Sequence, residues 1–113
     1  MAKDKKKKKK RGVKEQATVL GNIGWFYYNQ GNYPEAFKHC EEALQIFKQL
    51  GDLNGKAISL KTIALIHYKQ GNYQDASKHL EDALNVFLEL GLEDSPKLKQ
   101  IKDLMKIIKS KLS

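Results

Sequence analysis

The chain is expected to be all-α, built from antiparallel helix hairpins stacked side by side. Three observations predict this. Its 113 residues contain only two prolines, so little interrupts helix. Apolar residues recur at i, i+3 and i+4 through most of its length. The sequence also matches itself at an offset of 40, so that GNYPEAFKHCEEALQIFKQLG (31 to 51) pairs with GNYQDASKHLEDALNVFLELG (71 to 91). A repeat of that length signals supersecondary units stacked to share a core.

The first predicted helix carries Ala17, Leu20, Ile23, Gly24 and Tyr27 on one face. Gln30-Gly31-Asn32 ends it, with Gly31 suited to a left-handed C-terminal position. Asn32 as a cap and Pro34 in the first turn open a second helix. Its apolar stripe is Ala36, Cys40, Ala43, Leu44 and Phe47, and it stops at Leu50-Gly51. The pair recurs from about Lys56 to Leu90. Ser95-Pro96 starts a fifth helix, with Leu98, Ile101, Leu104, Met105 and Ile108 facing inward. The expected organisation is a disordered lysine tail at 1–12 and a repeat domain at 13–113. Within that domain, one repeat spans about 17–51, a second about 57–91, and a capping helix about 96–111. Small residues at Gly24/Ala64, Ala36/Ala76 and Ala43/Ala83 would let helix backbones approach closely.

Charge is unevenly placed. The net formal charge is +8, and residues 1 to 14 hold nine bases against Asp4, which accounts for all of it. The remaining chain is balanced, with twelve bases and twelve acids. Six consecutive lysines, Lys5 to Lys10, repel one another and bury nothing, which predicts disorder. No apolar run approaches the ~20 residues of a transmembrane helix. The charged N-terminus lacks the apolar stretch of a secretory signal. A single cysteine excludes an internal disulfide and fits a reducing compartment. A cytoplasmic location is therefore expected, or a nuclear one if the source is eukaryotic, where the lysine run would serve as an import signal.

The residues point away from catalysis. His39 and His79 stand at the same place in successive repeats, as duplication alone would put them, and no Cys/His cluster has metal-ligand spacing. Cys40 matches Leu80 and reads as a small buried hydrophobe. Glu41, Glu42, Glu81 and Asp82 form a charged helix face without a nucleophile or phosphate-binding loop nearby. No catalytic residue, metal or cofactor is expected.

The pattern L-x-x-I-[GA]-x-x-[YH]-x-x-x-G-x-Y-x-x-A-x-x-x-[CL]-x-x-A-L, present twice between residues 17 and 91, resembles the tetratricopeptide repeat family. Lys48 and Leu88 stand where the shorter form of the repeat ends near a proline. The longer period is similar to that of the repeats in kinesin light chains. The resemblance implies a short right-handed α-solenoid of two units plus a C-terminal capping helix. It also implies a protein-interaction module or adaptor, whose first helices line a concave groove for a peptide or helix. Carried over by position, the groove residues are Asn22, Trp25, Tyr28 and Asn29 in the first unit and Lys61, Leu65, Tyr68 and Lys69 in the second. Allowing one extra residue in the last loop, Lys102 and Lys106 follow from the cap. For Trp25, groove anchor and packed core are both open. Some members grip acidic C-terminal peptides with Lys and Asn, where Gly21 and Trp25 stand here; in the second unit Lys61 keeps that pattern and Leu65 departs from it. The expected partner is a protein or peptide, an acidic one being suited to the lysines. A rival reading has the basic tail hold nucleic acid or an anionic surface. A third has chains pair as homo-oligomers through an unfinished end.

Overall fold

A computed structural model describes the backbone from Ala2 to Ser113 and the side chains from Gly12 onward. Five helices follow one another, α1 (Ala2–Asn29), α2 (Tyr33–Leu50), α3 (Leu53–Lys69), α4 (Tyr73–Glu89) and α5 (Pro96–Leu112), with no strand among the described residues. The bounds of α1 take in the lysine run. The expectation of a disordered tail over 1–12 otherwise falls outside the described residues.

The four connections share one device. Gly31, Gly51, Gly71 and Gly91 have φ of 67 to 80°, the left-handed region that only glycine enters without strain. Each is followed by a residue whose N–H reaches back five positions, as Asn32 N to Tyr27 O (2.9 Å) and Asp52 N to Phe47 O (3.0 Å). Both carbonyl-capping bonds of the Schellman motif are present at all four ends. Gly31 and Gly71 close hairpins, whereas Gly51 passes the chain from one hairpin to the next. A 20-residue rhythm of helix and stop therefore underlies the 40-residue repeat.

Three starts are capped as well, whereas Asn72 ahead of α4 makes no side-chain capping bond. Asn32 accepts from the Glu35 N–H, and Ser95 accepts from the Lys97 N–H ahead of the fifth helix. α3 begins at Leu53, a few residues before the apolar pattern does, because Asp52 accepts from the Gly55 N–H (3.0 Å) and nucleates the extra turn.

α1 packs on α2 and α3 on α4 as hairpins, while α2 also meets α3 and α4 meets α5. Ala36, Ala43, Ala57, Ala64, Ala76 and Ala83 are fully buried where these helices touch. At Gly24 even a methyl group would meet the Cys40 sulfur and lie 3.1 Å from the Ala36 carbonyl. Gly55 likewise lies against the Phe47 ring, so that a Cβ there would overlap it. Between these close contacts, Leu60, Ile63, Ile66, Leu80, Phe87, Leu98, Ile101 and Ile108 fill one continuous core. A smaller cluster of Ala17, Ala43 and Phe47 carries the packing to the start of the first hairpin.

Candidate functional site: a groove between the first helices

α1 and α3 lie side by side with a groove of about 500 Å³ between them, to which the start of α5 adds Lys97. Its floor is apolar and narrow, from Ala17, Gly21, Phe47, Gly55 and Phe87. Its walls carry Trp25 from α1, and Ile58, Thr62 and Leu65 from α3. The glycines follow from local packing. Gly21 adds no side chain to the gap, and Gly55 lets the Phe47 ring come up beneath α3.

Trp25 is 45% exposed and stacks on Tyr28, with ring centroids 5.1 Å apart and planes inclined by 21°. Ile58 stands in water across from it. Three lysines border the groove. Lys14 pairs with Asp52 at 3.4 Å, Lys61 donates to the Gln100 amide oxygen of α5 at 3.4 Å, and Lys97 stands at the α5 end. With Asp52 the only acid among the lining residues, three bases against one acid leave the rim net positive. Asp52 holds the groove from below as well, since one carboxylate oxygen caps α3 and the other faces α1 through Lys14.

The structure brings Asn22, Trp25, Lys61 and Leu65 together in this groove. Tyr28, Asn29, Tyr68 and Lys69 do not line it. Tyr28 and Tyr68 pack across their own hairpins onto Tyr33 and Tyr73, at centroid distances of 6.0 and 5.7 Å. Burial, and then the Tyr33 hydroxyl, push the Tyr28 phenol above its ordinary pKa. Asn29 and Lys69 are exposed at the helix ends. Lys102 and Lys106 also lie away from the groove. α5 buries Leu98, Ile101, Met105 and Ile108, which turns Lys97 and Gln100 toward the groove and the pair of lysines toward the opposite flank. The apparent one-residue shift in the last loop is thus two residues. Ile101, Met105 and Ile108 then match Ser59, Ile63 and Ile66, all buried. Matching those burial-prone positions rather than the leading Leu98 would have found Lys97.

The other reactive groups are occupied by structure. Cys40 is buried, which pushes its thiol up to about 11, so little thiolate exists near neutrality. His39 and His79 each donate Nδ1–H to the carbonyl four residues back, at 2.8 and 2.7 Å. His67 sits between the Phe37 and His79 rings. No group of three or more potential metal ligands occurs among the described residues.

A tetratricopeptide repeat model matches residues 15–89, about two thirds of the chain. The chain belongs to the tetratricopeptide repeat family. Its five helices are the helix-hairpin solenoid of that family. Family members generally mediate protein–protein interaction and are typically non-enzymatic scaffolds. No curated protein matches the chain. No helix among the described residues of this tetratricopeptide repeat protein is long and apolar enough to cross a membrane.

Proposed function

We propose that the protein is an adaptor that holds a peptide or a single helix of a protein partner in the groove between α1 and α3. The observation that supports this is an apolar groove left open beside a well-packed core, with Trp25, Ile58 and Leu65 on its walls. A large aromatic side chain with a polar N–H, half in water on a concave wall, is suited to become the buried centre of an interface. Lys61 and Lys97 favour an occupant with acidic residues flanking its apolar anchor, chiefly by speeding association and fixing orientation.

A random peptide library displayed on phage, selected against the full chain, tests this. The expected peptides share an apolar or aromatic anchor flanked by Asp or Glu. Their binding should fall with Trp25→Ala by about 2 kcal/mol or more, the hot-spot range, and fall again with Ile58→Glu, while helicity is kept. Peptides that bind the two variants as well as the wild type would show that the groove is not the site. Binding that survives in the groove variants but disappears when residues 1–11 are deleted would favour the rival in which the lysine tail is the binding element.

A further inference from the structure

The flank of α1 facing away from the groove is an uncharged seam with apolar residues at its centre. Gly12, Gln16, Val19, Ile23, Phe26 and Gln30 follow one another at spacings of four and three, the a/d spacing along which one helix meets another. None carries charge, in a chain where 30% of residues do. Val19 and Phe26 are 54% and 56% exposed, and Ile23 is half-buried.

The repeat shows what such a flank accepts. Forty residues on, Val19, Ile23 and Phe26 correspond to Ser59, Ile63 and Ile66 of α3, all three buried in a helix on which α2 packs, with Ser59 at the edge of the groove. On α5 the equivalent Ile101, Met105 and Ile108 are closed off where α4 packs on it. Three helices therefore present the same ridge, and two of them have it covered by a helix of this chain. Only on α1 does the ridge face solvent, and there it bears the largest apolar residue of the set.

We propose that this ridge binds a second copy of the chain, α1 against α1, in an antiparallel two-fold dimer. The seam is self-complementary because it is polar but uncharged at both ends and apolar in the middle. An isologous interface needs that symmetry. It offers no charge for a foreign partner to complement. Charge also sets the direction. Residues 1 to 14 carry +8, and parallel helices would bring two such segments together, whereas antiparallel helices place them at opposite ends of the pair. The groove lies on the other flank of α1, so both grooves stay open in the dimer.

Sedimentation velocity on the full chain, over a range of concentration on the order of a hundredfold, tests the proposal. The wild type should pass from monomer to dimer. Phe26→Lys should weaken dimerisation about thirtyfold or more, the loss expected at an interface centre, with circular dichroism unchanged because the side chain is already exposed. Val19→Lys should act in the same direction. Leu88→Lys, which alters an exposed apolar residue on α4, should leave the dimer intact. A wild type that stays monomeric throughout overturns the proposal and leaves the ridge to a foreign helix. A dimer that ignores Phe26→Lys and Val19→Lys overturns it too, by placing the contact elsewhere.

Discussion

Cys40 is buried and His67 half-buried, and burial favours the neutral form of both. The Cys40 thiol is held neutral by burial, so a thiol reagent at pH 8 should leave the native protein unmodified and react once per chain after unfolding. Reaction of the native protein at the rate of a free cysteine would place that residue at the surface. His67 is lowered from 6.5, first by burial and then by the neighbouring His79, against smaller opposing effects from Asp75 and Glu41. Its Nδ1 is buried and has no hydrogen-bond partner. The unfolded chain therefore takes up the proton near pH 6.5, and the folded chain only at lower pH. The stability linked to His67 is complete above pH 6.5 and is lost as pH falls below it toward the folded value. Melting temperatures between pH 7.5 and 5 should show this decline, and His67→Phe should flatten it. A wild-type profile that is level over that range would contradict the placement of the ring. The sequence aligned His67 with Tyr27, but its setting between Phe37 and His79 depends on which hairpin lies next to it.

The first four helices end at a glycine stop, and α2, α3 and α5 start at a capping side chain. Asp52→Ala removes the cap of α3 and should cost about 0.5–2 kcal/mol in urea unfolding. Most of that is the cap, since the paired Lys14 is largely exposed and its ion pair adds little. Ala43 and Ala83 lie fully buried where their helices touch their neighbours. Ala43→Leu and Ala83→Leu should each destabilise by about 1–3 kcal/mol through overpacking, and wild-type stability in both would mean the contacts are looser than described. These alanines, like the four stop glycines, were legible from the repeat, because the same residue type recurs where the same contact recurs. Gly55 was not. It has no glycine partner in the other repeat, and its role depends on the Phe47 ring arriving from the preceding hairpin.

At the scale of the whole chain, stability should pass between neighbours along the stack, since each hairpin touches only the next. Deleting residues 96–113 would bare the part of α4 on which α5 packs, within the same core as Leu80, Val86 and Phe87. The shortened chain should bind a hydrophobic dye and unfold at markedly lower urea, with α3 and α4 losing protection from hydrogen exchange before α1 and α2. Uniform loss of protection would mean that the five helices act as a single cooperative unit.

Sequence by itself determined the helices, their glycine stops, the pairing into hairpins and the family, because glycine stops and apolar period are local chemistry repeated in register. The resemblance to the repeat family, carried over by position, put Asn22, Trp25, Lys61 and Leu65 among the groove residues, and these four line the groove between α1 and α3. Only the tertiary structure decided that α5 is rotated to bring Lys97 and Gln100 to the groove in place of Lys102 and Lys106. A helix at the end of a stack packs on one side alone, so its orientation follows the ridge it buries rather than the count of residues in the loop before it. The same physics decided that the ridge of Val19, Ile23 and Phe26 is left open. Its residues resemble their buried counterparts, and what separates them is that α2 packs on α3 and α4 on α5, while none of the described helices packs on this ridge.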